Sequence, residues 1–97
     1  MKTLRLRLGV RVPNEGARRL AQWIMQEPVG TLDKLLRKVG IGEITMERMM
    51  AGEITPGADI GHQIYAFTRS AVTTVDWYRP PYGGWFEIGS EPMRRAA

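Results

Sequence analysis

The residues able to do chemistry in this 97-residue chain are few, and most are arginines. There is one histidine, His62, and no cysteine. His62 has no hydroxyl or carboxylate at the spacing of a catalytic motif, and nucleophilic or general-base catalysis needs such a partner in reach. It reads as a solvent-facing helix residue. Without thiols, disulfides, thiolate–zinc sites and thiol catalysis are excluded. No catalytic constellation can be assembled, so the chain is expected not to be an enzyme and to need neither metal nor cofactor.

The arginines suggest a different chemistry. Residues 1–40 carry Lys2, Arg5, Arg7, Arg11, Arg18, Arg19, Lys34, Arg37 and Lys38 against only Glu15, Glu27 and Asp33. Residues 41–97 are slightly acidic, and the net charge is +4. A basic first half suits a polyanion partner, although +4 alone also fits ordinary solubility charge. The stretch Met1 to Val12 lacks the continuous apolar run of a secretion signal. No run approaches the roughly 18 apolar residues of a membrane span. A cytoplasmic protein without membrane contact is expected.

The elements that must position these groups can be read in order. The length predicts one domain over 1–97. Leu4, Leu6, Leu8, Val10 and Val12 alternate with Arg5, Arg7, Gly9 and Arg11, and this period of two predicts a β-strand over 3–12. Its partner would be a short strand over 85–88 or a second copy of itself. Asn14 predicts a helix cap, and Leu20, Trp23 and Ile24 form an apolar stripe from which Arg18, Arg19 and Gln22 face away. Thr31 reads as the cap of a second helix with Leu32, Leu35, Leu36 and Val39 inward. Gly40 ends it, in the left-handed conformation. A third helix over 43–51 buries Met46, Met49 and Met50, and Gly52 closes it. A fourth has Ile60, Ile64 and Phe67 inward. Thr73 or Thr74 caps a last turn with Val75, Trp77 and Tyr78. Trp77, Tyr78, Tyr82 and Trp85 are read mainly as core plugs. The tail over 91–97 is expected to be flexible. The fold class is mainly α: a four- to five-helix core over 13–78 with an N-terminal β-strand and a short C-terminal strand.

Two short helices joined by a tight glycine turn, over Thr31 to Pro56, follow the helix-turn-helix plan. The ordered set of Gly40, Ile41, Met46, Met49, Met50, Gly52 and Pro56 resembles the lambda-repressor-like Cro/cI-type helix-turn-helix DNA-binding proteins of phages and bacteria. The resemblance covers about Ala17 to Tyr78 and includes the Thr73-Thr74-Val75-Asp76-Trp77 segment. It departs from the family at Leu36, where alanine is usual. The resemblance implies a sequence-specific transcriptional regulator, expected to be a repressor, that binds double-stranded DNA as a homodimer. It assigns base reading to Glu43, Ile44 and Arg48, with Thr45 and Glu47 adjacent. Arg48 would donate to guanine, Glu43 or Glu47 would accept from cytosine, and Ile44 and Thr45 would pack on thymine methyls. Thr31, Leu32 by its amide, Lys34 and Thr55 occupy places suited to phosphate contact, joined by Arg5, Arg7 and Arg11 of the first strand.

Two alternatives stand beside this one. Strand, helix, helix is also the order of a ribbon-helix-helix DNA binder, in which Arg5, Arg7 and Arg11 would read the bases. The glutamates at 43, 47 and 53 instead suit a protein-binding module, such as an antitoxin-like or anti-repressor partner. Glu43 and Glu47 read equally well as solvated surface, and the arginines of the first strand as a solvated face.

Overall fold

The computed structural model describes residues 5–87. They form a small, mainly helical globule: α1 (Glu15–Met25), α2 (Thr31–Val39), α3 (Glu43–Met50), α4 (Ala58–Phe67) and a single 3-10 turn at Val75–Tyr78. The core collects Ala17, Leu20 and Ala21 of α1, Leu32, Leu35, Leu36 and Val39 of α2, and Met46, Met49 and Met50 of α3. Ile64, Val72 and Trp77 complete it. These are the stripes expected from three- and four-residue spacing. Leu36 is accommodated beside Met46 and Met50, which line the same seam. Methionine's flexible thioether adapts to irregular spaces of this kind.

Local chemistry sets most helix ends. The Asn14 side chain accepts the Ala17 amide at 2.8 Å, which caps α1. Gly40 and Gly52 take φ of +81° and +79°, conformations that L-side chains adopt only at a cost. The Gly40 and Ile41 amides both donate to the Leu36 carbonyl, at 2.8 and 3.1 Å, and this turns the chain out of α2. α2 starts differently from expectation. Its cap position is Gly30, at φ +96°, and Thr31 is already helical. The Thr31 hydroxyl donates back to the Pro28 carbonyl at 2.7 Å instead of capping.

Neither expected strand forms; no strand is present among the described residues. Residues 3, 4 and 88 of those two segments, and the expected tail over 91–97, lie outside the described residues. Residues 5–12 lie as an arm without ladder bonds, with Leu6 and Leu8 packed on the helical core. Alternating burial follows from any extended segment laid on a core, whereas a strand needs a neighbour's amides and carbonyls. Those acceptors are taken. Arg18 Nη2 donates to the Glu87 carbonyl at 2.5 Å, and Gln22 Nε2 to the Trp85 carbonyl at 2.9 Å. Residues 84–87 turn back on themselves, with the Glu87 amide donating to the Gly84 carbonyl at 3.3 Å.

Arg18, Arg19 and Gln22 therefore do not face away; Gln22 is half-buried and donates to the Trp85 and Glu87 carbonyls. Arg18 is buried, and Arg19 is half-buried. Both donate to the fully buried Glu15 carboxylate, Arg18 Nη1 at 2.6 Å and Arg19 Nε at 2.8 Å. The other Glu15 oxygen accepts the Tyr82 amide at 2.8 Å. The buried Asp76 carboxylate accepts the Thr73 amide at 2.9 Å and lies 3.8 Å from Arg19 Nε. Burying such charges is tolerated only when each is compensated. Of the aromatics read as plugs, Trp77 is buried and Tyr82 and Trp85 are half-buried, but Tyr78 is exposed. Its hydroxyl donates to the Pro56 carbonyl at 3.3 Å, which holds it at the surface.

Two stability measurements check this packing. A Cβ on Gly16 would lie 2.3 Å from the Trp77 ring. Gly16→Ala in an open helix should stabilise by up to about 1 kcal/mol. Here it is expected to destabilise by about 1–3 kcal/mol, seen as a lower urea midpoint. Arg18→Ala strips the buried Glu15 carboxylate of its shortest contact. It is expected to cost about 3–5 kcal/mol, most of what a small domain has, and to lower the thermal midpoint sharply.

Candidate nucleic-acid interface

α3 presents two unlike faces. Met46, Met49 and Met50 anchor one in the core. On the other, Glu43, Ile44 and Arg48 are exposed, and Thr45 and Glu47 are half-exposed. Ile44 is 66% exposed, a large share for an aliphatic side chain on a short helix. Gly42 caps the helix in extended conformation without a side-chain bond. The first amides of α3 thus have no side-chain acceptor, as at any helix start that can receive an anion. At the other end, the Arg48 carbonyl accepts the Glu53 amide at 2.9 Å, which closes the helix over Gly52. The Arg48 side chain makes no ion pair with any described residue.

The arm brings the arginine candidates to this helix. Arg5 and Arg7 line the same seam as Glu43 and Glu47, between α2 and α3. Arg7 Nε lies 3.3 Å from Glu47 Oε2, with both side chains well exposed. A pair that open to water contributes roughly 0–1 kcal/mol and is easily exchanged. Further along, the arm passes the end of α3. A Cβ on Gly52 would lie 2.5 Å from the Pro13 side chain, so only glycine permits this approach. The Trp85 indole donates to the Gly9 carbonyl at 2.8 Å and pins the middle of the arm.

The remaining candidates fall at the margins. The Leu32 side chain is core, and its amide lies in the first turn of α2, where no intrahelical carbonyl is available. Lys34, Thr55 and Arg11 are exposed. Thr31 has its hydroxyl committed to the Pro28 carbonyl. Arg37, which sequence reasoning kept only as an outer charge, lines a hollow with Gly40, Gly42 and Glu43 at the turn before α3. Its position three residues before the turn glycine was the available signal. His62 is exposed and stacks on Tyr65, with ring centroids 6.0 Å apart. No group of three or more His, Asp or Glu side chains among the described residues could hold a metal ion. No described helix is long and apolar enough to cross a membrane.

The arrangement can offer a duplex one guanidinium on α3, hydrogen-bond acceptors on either side of it, an exposed aliphatic group and a flanking row of arginines. No family model, no curated protein and no solved structure matches the chain.

Proposed function

We propose that this protein is a sequence-specific DNA-binding transcriptional regulator of the helix-turn-helix type, similar to the Cro/cI repressors. In this reading α2, the turn at 40–42 and α3 form the motif, and α3 enters the major groove. Two copies bind a palindromic operator with their α3 helices about one DNA turn apart. Occupying a promoter in this way represses it. One observation carries the reading: α3, held between two left-handed glycines, exposes Ile44 and Arg48, which has no ion pair among the described residues, beside an arm bearing Arg5 and Arg7.

The division of labour follows from the chemistry. Arg48 donates to guanine, and Glu43 accepts from cytosine N4. Ile44 and the Thr45 methyl meet thymine methyls. The α2 amides, Lys34, Thr55 and the arm arginines meet phosphates, which supplies affinity and register but no sequence preference. Arg7 exchanges Glu47 for a phosphate on binding. The ribbon-helix-helix alternative needs residues 3–12 as a paired strand. It is disfavoured by the engagement of Leu6, Leu8 and Gly9 with the chain's own core and Trp85. A protein-binding module is a second reading, favoured by exposed Ile44 between Glu43 and Glu47.

Binding to the DNA upstream of the protein's own gene, measured as salt is raised, tests the reading. Log affinity is expected to fall linearly and steeply with log salt. Arg48→Ala should cost about 1–3 kcal/mol of discrimination between operator and scrambled DNA. Arg5→Ala with Arg7→Ala should weaken both duplexes alike and flatten the slope. No binding at low salt, or a flat slope, contradicts DNA binding. Capture of one stoichiometric protein partner without DNA would favour the second reading.

A further inference from the structure

The arm over 5–12 carries the arginines that flank α3, yet little holds it in place. Leu6 and Leu8 pack on the core, but apolar contact has no direction and does not by itself fix how far along the chain lies. Gly9, Val10 and Arg11 are all exposed. The Arg7–Glu47 pair is open to water and weak. Among the described residues, one hydrogen bond reaches residues 5–12: the Trp85 indole donates to the Gly9 carbonyl at 2.8 Å. Trp85 is itself held from behind. Gln22 Nε2 donates to the Trp85 carbonyl at 2.9 Å, and Arg18 Nε to the Gly84 carbonyl at 3.0 Å. The Tyr82 amide donates to the Glu15 carboxylate at 2.8 Å. Residues 82–87 thus form a strap, fastened to α1 on one side and to the arm on the other.

We propose that this strap sets the register of the arm, and that Trp85 is the positioning residue for the phosphate contacts of Arg5 and Arg7. In an extended chain successive side chains point to opposite sides, and each residue advances by about 3.3 Å. A slip of one residue would exchange the leucines for the arginines. A slip of two would put Leu6 where Leu8 lies and carry Arg7 about 7 Å along the α2–α3 seam, away from Glu47. Apolar burial resists the first slip, because it would bury the arginines. The second keeps a leucine inward, so a directional bond is needed to resist it. The indole bond at Gly9 lies two residues from Arg7 and four from Arg5, near enough to place both. A plug for the core would need only the ring of Trp85. This ring is half-buried, and its N–H is spent on the arm. The assignment rests on the DNA-binding reading above and deepens it: an arm ordered in advance avoids the cost of being ordered on the duplex.

Trp85→Phe in the full chain tests the proposal, since it keeps a ring and removes the N–H. The helical circular dichroism should persist. In the free protein, 15N relaxation should show wider motion of the amides of residues 7–11 than in the parent. Operator and scrambled duplex should both bind about three- to tenfold more weakly, the worth of one net hydrogen bond. The log–log salt slope should become shallower, and the preference between the two duplexes should stay. In an Arg5→Ala, Arg7→Ala background, Trp85→Phe should change affinity by less than about twofold, because the arginines it positions are gone. Gln22→Ala, which frees the Trp85 carbonyl, should move arm motion and affinity in the same direction, and it carries the test if Trp85→Phe fails to fold. Unchanged arm motion overturns the proposal, and so does unchanged affinity where the parent binds duplex. An affinity loss equally large without the two arginines also overturns it, since Trp85 would then act through the core alone. Arm motion is read without DNA, which separates the two readings. If the arm loosens but the parent binds no duplex, the strap's hold on the arm stands and the DNA reading falls. If the parent binds duplex but the arm moves no more in Trp85→Phe, the strap falls and the DNA reading stands.

Discussion

The Glu15 carboxylate lies wholly out of solvent at the start of α1, and three donors compensate it: Arg18, Arg19 and the Tyr82 amide. Removing a charge from water costs several kcal/mol unless partners repay it, so this carboxylate fixes where its partners must be. Arg18, drawn inward, also donates from Nε and Nη2 to the carbonyls of Gly84 and Glu87. The C-terminal stretch is thereby held against α1. From there Trp85 reaches the Gly9 carbonyl and positions the arm. The arm in turn sets Arg7 beside Glu47 and Pro13 against Gly52. A buried acid on the first helix thus determines which charges flank the third.

That dependence explains how so short a helix can present a defined face. α3 has only eight residues, and isolated helices of that length do not persist in water. Three buried methionines hold it from below, and two glycines at positive φ turn the chain at its ends. The arm supports it from the side. Its outer face carries one arginine among glutamates, a composition that repels phosphate unless cations are brought from elsewhere. Arg5 and Arg7 are brought from about forty positions away in sequence, and an exposed pair with Glu47 is weak enough to give way to a phosphate.

Helix positions and core stripes were legible because they rest on local periodicity. Leu32, Leu35, Leu36 and Val39, the three methionines, and the turn glycines 40 and 52 each carry their signal within a few residues. The α3 face was legible for the same reason, since burying Met46, Met49 and Met50 turns Ile44 and Arg48 outward. What was not legible depends on distant partners. Arg18 looks like a surface charge until residues 66 and 69 positions on supply its acceptors, and Arg19 until the chain brings Asp76 to 3.8 Å from it. Period-two alternation at Leu6 and Leu8 reports an extended chain on an apolar surface, and says nothing of whether a neighbouring strand exists. Thr31 matches a cap by type, but Gly30 at positive φ takes the cap position and leaves the hydroxyl facing Pro28. The Arg7–Glu47 contact joins two candidates that sequence treated as separate sites.

The most direct test of the central claim, that α3 and the arm form one DNA-facing surface, is an amide shift map. The 15N-labelled protein would be titrated at low salt with duplex from its own upstream region. The account predicts that shifts concentrate on Glu43 to Arg48, the α2 start at Thr31 and Leu32, Thr55, and the arm at Arg5, Arg7 and Arg11. Shifts confined to α4 and the 3-10 turn, or no shifts at all, would contradict it.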